Sequence, residues 1–156
     1  MTFPAKQMIE TCTDAQQPAW LALRQALWPD CPLDEHRRSL QETLEQPQRL
    51  IALLARDSAG QALGFAEASI RSDYVNGSNS SPVAFLEGVF VAPQARGQGV
   101  AGQLIAALEQ WAVRQGCSEL ASDAALDNHS SHAMHEALGF RETERVVYFL
   151  KSLAKG

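Results

Sequence analysis

Apolar and polar positions along the chain alternate between a period of two and a period near 3.6. Residues 7–12 read as a short first strand. Residues 16–27 place Trp20, Leu23, Ala26 and Leu27 on one helical face. Pro29 and Pro32 interrupt the chain, and residues 34–46 suit a second helix with Asp34 as N-cap and Arg37 and Arg38 on its wet side. Residues 50–56 and 62–70 are apolar runs joined through Asp57-Ser58-Ala59-Gly60, which predicts a hairpin. A polar loop over 72–81 ends at Pro82, and 83–91 forms a third long strand, so an antiparallel meander is expected. Val100, Leu104, Ile105, Leu108, Trp111 and Ala112 then recur at helical spacing, and Gly116 stops that helix. A short strand at 119–122 must run parallel to 83–91, because a helical crossover separates them. Residues 130–138 form another helix, stopped by Gly139, and 145–150 a final strand. The order βααβββαβαβ describes an α/β fold, a mixed sheet with helices on both faces.

Composition narrows the class. A chain of 156 residues fits one domain over 1–156 with one sizeable core. Its formal net charge of −5 argues against nucleic acid or an anionic membrane as partner and suits a cationic substrate. Cys12, Cys31 and Cys117 are few, odd in number and widely spaced, which predicts free thiols in a reducing, cytoplasmic setting. Residues 1–13 lack the apolar run of a leader, and nowhere do 18 apolar residues follow one another.

Candidate chemistry concentrates at Pro93-Gln94-Ala95-Arg96-Gly97-Gln98-Gly99-Val100-Ala101-Gly102. An apolar strand stops, glycines follow, and an amphipathic helix begins. The first N–H groups of a helix have no internal partner, and its dipole favours an anion there. Glycine lets a phosphate approach the backbone, so residues 97–102 are expected to hold a phosphorylated ligand. The spacing of Gly97, Gly99 and Gly102 also satisfies the dinucleotide fingerprint G-x-G-x-x-G, with Glu119 or Asp123 near the position of its ribose-binding acid. Against that reading, Ala92 to Arg96 separate strand from glycine, and too few residues follow Asp123 for further βα units. A purely structural turn is the remaining alternative.

Gln94-Ala95-Arg96-Gly97-Gln98-Gly99 is similar to the Q/R-x-x-G-x-G/A signature of the GNAT superfamily of acetyl-CoA-dependent N-acetyltransferases. Asn128, Ser131, Met134, His135, Leu138, Gly139 and Phe140 resemble a second block of that family at the matching distance. Asp73 to Gly77, Ser81 to Val83, Phe85 to Gly88, Ala121 to Asp123, Glu142 to Val146 and Trp28-Pro29 further resemble the bacterial aminoglycoside 6′-N-acetyltransferases. One departure is that Asp30-Cys31 stands where members of that subgroup often carry a His.

The resemblance implies acetyl transfer from acetyl-CoA to the 6′-amine of an aminoglycoside, by direct attack in a ternary complex, conferring resistance. It assigns the pyrophosphate to the N–H groups of Gly97, Gln98, Gly99, Val100, Ala101 and Gly102, and the cofactor arm to Val89, Phe90, Val91 and Asn128. One strand N–H faces the developing oxyanion. Asn128 is equally a helix N-cap by its position. An alkylammonium must lose a proton before it attacks, so carboxylates beside the amine are needed. Glu87, Asp123 and Glu144 are the candidates, lying at or next to strand ends, and Glu87 is expected to be buried in its apolar strand and therefore partnered. Trp28 and Tyr74 in loops would stack on sugar faces, or pack on the core. His135 stands where many family members have a Tyr that protonates the leaving thiolate; packing beside the pocket is its other role. His129, His132 and His135 with Asp127 spread over too wide an arc for a zinc site, so no metal is expected. Cys117 at a helix end and Cys12 in the first strand do not suit an acyl-enzyme. A homodimer is implied by the subgroup, with 145–150 apolar enough to join it. Two other readings stay open: acetylation of a polyamine or a protein N-terminus, and a non-catalytic CoA-binding regulator.

Overall fold

A computed structural model describes residues 7–154. The leader and single-domain expectations also concern residues 1–6 and 155–156, which lie outside that range. Two compact units are distinguished, residues 1–123 and 124–156.

The first unit is a five-stranded sheet in the order β1-β2-β3-β4-β5. Its strands are β1 (Met8–Thr11), β2 (Leu50–Arg56), β3 (Ala62–Arg71), β4 (Val83–Val91) and β5 (Leu120–Ala121). The first four pair antiparallel, and β5 runs parallel to β4 through Ala84↔Leu120 and Phe85↔Ala121. The β2–β3 turn works as its composition predicts: Asp57 Oδ1 accepts from the N–H groups of Ala59 and Gln61, each at 2.9 Å, and Gly60 takes φ 84°.

Helix α1 (Pro18–Leu27) starts with proline at its first turn and with the Gln17 side chain accepting from Ala19 N. It buries Trp20 and Leu23 with Leu40 of α2 (Leu33–Glu45) against Cys12, Ala52, Leu54 and Phe65. By the period-two alternation, Ile51, Leu53 and Ala66 face the other way. Helix α3 (Val100–Arg114) packs across β2, β3 and β4 with Val100, Leu104, Ile105 and Leu108 buried. It ends as expected, with Gly116 at φ 87° and the N–H of Cys117 bonded to the Ala112 carbonyl.

Three expectations are corrected. Asp34 is not the N-cap of α2; the helix begins one residue earlier, Pro32 takes the cap position without a side-chain hydrogen bond, and Asp34 and Glu35 lie in the first turn, where they complement the dipole. Arg37 and Arg38 are exposed, as read. No strand forms at 145–150, so the order is βααβββαβα. A strand is held by its neighbours, and this run has no ladder partner among the described residues. It follows that Glu144 does not stand at a strand end. The third correction concerns Glu87, which sits in mid-strand at a bulge and is described with the site.

The second unit holds α4 (His129–Ala137), stopped by Gly139 at φ 92°. Among its described residues none is buried.

Candidate functional site

The predicted phosphate turn has the geometry its residues require. Pro93–Ala95 makes a single 3₁₀ turn after β4, and Arg96 turns back so that its Nε donates to the Val91 carbonyl at 3.0 Å. Gly97 and Gly99 take φ 78° and 77°, a left-handed backbone closed to most side chains. At both, an added Cβ would meet open space, so the backbone here is bare toward solvent. Gly99 is the N-cap of α3, and no side chain caps the helix. The first helical bond inside α3 runs from Gln103 N to the Gly99 carbonyl, which leaves the N–H groups of Val100, Ala101 and Gly102 ahead of the ladder. The Gln98 carbonyl is tied to Gln7 Nε2 at 3.0 Å, which anchors the turn to the start of the sheet. Exposed backbone, positive φ and an uncapped dipole fit a pyrophosphate.

Beside the turn, β4 has an open edge. Its partner β5 is only two residues long and pairs at Ala84 and Phe85, so the outer edge from Leu86 to Val91 has no strand beside it among the described residues. Val89, Phe90 and Val91 lie on this edge, next to the N-terminus of α3. The Val91 carbonyl is engaged by Arg96, whereas the Phe90 carbonyl lies against Gly64 of β3.

Glu87 differs from its expectation. A bulge between Glu67 and Ala68 sets Glu67 opposite Gly88 and Ala68 opposite Leu86, so Glu87 is the extra residue. Its side chain is 36% exposed rather than buried. It accepts from Ser69 Oγ at 2.6 Å and from Arg71 Nη2 at 2.9 Å. Neither partner was singled out from sequence, although Ser69 and Arg71 share one strand face at a spacing of two. Arg71 also lies 3.6 Å from the Phe85 ring centroid.

Trp28 joins this corner. Gly88 has no room for a Cβ, since one would stand 2.5 Å from Trp28 Cζ2, so the glycine next to Glu87 is the seat of the indole. Trp28 is half-buried, packs edge-on to Phe65 at 6.0 Å, and carries Arg24 4.7 Å from its ring centroid. Packing on the core is thus realised, with the ring left partly exposed. Tyr74 is 79% exposed in the 72–82 loop. That loop is held by Val75, packed with Val83 and Phe85, and by Glu119, which accepts from Asn79 N at 2.8 Å and from Ser80 Oγ. Those hydrogen bonds pull the Glu119 carboxyl below its ordinary range. Asp123 is exposed just beyond β5.

In the second unit Asn128 is the N-cap of α4, its side chain accepting from Ser131 N at 3.2 Å. His135 Nδ1 donates to the Ser131 carbonyl at 2.7 Å. Its ring packs edge-on to Phe140 at 5.1 Å. Glu144 is exposed in a stretch without helix or strand.

All three thiols are raised above their ordinary range. Burial first, then Glu67 and Glu10, push Cys12 up to about 12. Burial raises Cys117, and Cys31 is raised as well, by desolvation and by Glu35. Among the described residues no group of three or more His, Cys, Asp or Glu is placed to hold a metal ion, and no helix is long and apolar enough to cross a membrane.

Residues 12–140 match the model of the acetyltransferase (GNAT) family. The chain is 51% identical over 146 residues to an aminoglycoside N(6′)-acetyltransferase type 1 of Serratia marcescens, covering 94% of this chain and 99% of the relative. Among solved structures, AAC(6')-Iy in complex with the bisubstrate analogue CoA-S-monomethyl-acetylneamine superposes with a TM-score of 0.89 at 46% identity, covering 96% of this chain and all of that one. The aminoglycoside 6′-N-acetyltransferase AAC(6')-Ih from Acinetobacter baumannii gives a TM-score of 0.89 at 50% identity, with the same coverage.

Proposed function

The chain belongs to the GNAT acetyltransferase family, and we propose that it transfers the acetyl group of acetyl-CoA to the 6′-amino group of an aminoglycoside. The observation that carries this reading is the uncapped N-terminus of α3, with Gly97 and Gly99 bare to solvent, beside the unpaired edge of β4. The whole chain, 1–156, acts as one acetyltransferase domain, since the family match runs from 12 to 140.

The N–H groups from Gly97 to Gly102 take the pyrophosphate. The edge at Val89, Phe90 and Val91 pairs with the pantetheine arm, and a β4 N–H meets the oxyanion as the tetrahedral intermediate forms. The antibiotic lies against Trp28 and Tyr74. Glu87, Asp123 and Glu144 receive its ammonium groups, and one of these acids takes the amine proton through water. The neutral nitrogen attacks the thioester carbon, the C–S bond breaks, and the thiolate leaves with a proton. Asn128 is assigned to the cofactor arm and His135 to that last proton. With all three thiols held protonated, direct attack in a ternary complex replaces an acyl-enzyme. Acetylation removes one positive charge from the drug and weakens its hold on an RNA target, which gives resistance. The enzyme works in the cytoplasm, where such a target lies.

The test is an amine panel with acetyl-CoA. Turnover of tobramycin with none of a 6′-hydroxyl analogue is expected. Turnover of polyamines or peptide N-termini alone overturns the substrate, and saturable CoA binding without any acetyl transfer overturns the reaction.

The enzyme is a homodimer in this reading. Val147, Tyr148, Phe149, Leu150 and Leu153 are each at least 76% exposed, an apolar run that a second copy would cover. Light scattering should give twice the chain mass, and Phe149→Asp should shift it toward one.

A further inference from the structure

Four buried side chains meet under Trp28 and have no part in the reaction described above. Glu67 is 8% exposed, Arg24 6%, and Trp20 and His36 0%. Trp20 Nε1 donates to Glu67 Oε2 at 2.8 Å, and Arg24 Nη1 is paired with Glu67 Oε1. Arg24 Nε donates to His36 Nδ1 at 3.2 Å. A guanidinium can only donate, so Nδ1 is the acceptor and His36 Nε2 carries the hydrogen that goes to the Trp28 carbonyl, also at 3.2 Å.

Two branches of this network, through Arg24 and through His36, end on Trp28. Its N–H bonds the Arg24 carbonyl at 2.8 Å, its carbonyl is held by His36 and by Cys31 N, and its ring is flanked by Arg24 and Phe65. Trp20, Arg24 and Trp28 follow at steps of four, which places them on one stripe of α1 running onto the loop. On the sheet, Glu67 is the register partner of Gly88, the seat of the Trp28 ring and the neighbour of Glu87. Buried ion pairs are poor stabilisers compared with apolar packing, so stability alone does not account for charges here.

We propose that Arg24, His36 and Glu67 are positioning residues that fix Trp28 on Gly88 beside Glu87 and so set the enzyme's grip on the antibiotic. The inference rests on the aminoglycoside reading given above. Its action is through Trp28, with no contact to the reacting atoms required.

The test uses the full chain labelled with 5-fluorotryptophan, whose three resonances include one assigned to Trp28 by its loss in Trp28→Phe. An apolar exchange, Arg24→Met with Glu67→Leu, removes the ion pair at little cost but leaves Trp20 Nε1 without its acceptor, so the melting temperature should fall by only several degrees. The exchange should nevertheless shift or broaden the Trp28 resonance and raise KM for tobramycin fivefold or more, with KM for acetyl-CoA within twofold. His36→Leu should do the same. His36→Gln, which keeps an acceptor and a donor, should restore both readouts to within twofold of wild type. Should the double variant fail to fold, His36→Leu carries the same outcomes with the ion pair intact. An unmoved resonance, or an unchanged tobramycin KM, overturns the proposal. Absence of aminoglycoside turnover by the wild type defeats the substrate reading instead, and the resonance then decides the network alone.

Discussion

Glu67 and Glu87 are the only carboxylates inside the two long central strands, and the structure treats them oppositely. Both stand among apolar residues, β3 reading Ala-Leu-Gly-Phe-Ala-Glu-Ala-Ser-Ile-Arg and β4 Val-Ala-Phe-Leu-Glu-Gly-Val-Phe-Val. Glu67 is buried and saturated by Trp20 and Arg24. Glu87, expected to be the buried one, rises out of the sheet at a bulge and keeps a half-open carboxylate beside Trp28. The same residue type thus serves two ends. One acid closes its bonds inside the protein, and the other leaves capacity for a ligand.

The largest effect separating them should come from Glu67→Ala. It strands Arg24 as an unpaired buried charge, at a cost of about 3–5 kcal/mol and a fall in Tm on the order of 10 °C by calorimetry. A Tm within two degrees of wild type would erase the distinction. Glu87→Gln comes next. Its kcat/KM for tobramycin should fall tenfold or more, about 1.4 kcal/mol of transition-state stabilisation, with KM for acetyl-CoA and Tm nearly unchanged because the pair with Arg71 is half-exposed. Unaltered turnover removes Glu87 from the site. The smallest effect at accessible pH tests the buried Cys12 thiol. This thiol sits at 9.0 ordinarily and is pushed up to about 12 by burial and then by Glu67. The folded state therefore binds its proton more tightly than the unfolded one. That contribution to stability is complete below pH 9 and is lost as pH rises toward 12. Cys12→Ala should flatten the alkaline loss of stability in denaturant titrations across that window, and an unchanged slope would contradict the shift.

Much of the architecture was legible beforehand. Residues 50–56 and 83–91 coincide with β2 and β4, because continuous apolar runs bounded by turn residues leave little choice of register. The start of α3 was legible for the same reason, since only glycine supports the backbone at 97 and 99. The bulge at Glu67/Ala68 was not, because an inserted residue leaves no mark on a strand that is apolar on both faces. The network of Arg24, His36 and Glu67 was not either. It draws on three elements far apart in the chain, and of its members only Trp20 stood out, as part of an apolar helical face. Residues 145–150 have strand chemistry and no strand, since pairing depends on a neighbour that composition does not name.

The sequence by itself determined the order of elements as far as α4, the positive-φ turn before α3, and the resemblance that the family match bears out, because these rest on local backbone preference and on motif spacing. Tertiary structure alone decided which glutamate is buried, where Trp28 rests and what holds it. Burial and partnership are properties of residues brought together from distant parts of the chain, and a bulge of one residue sets Glu87, expected to be buried, at the surface.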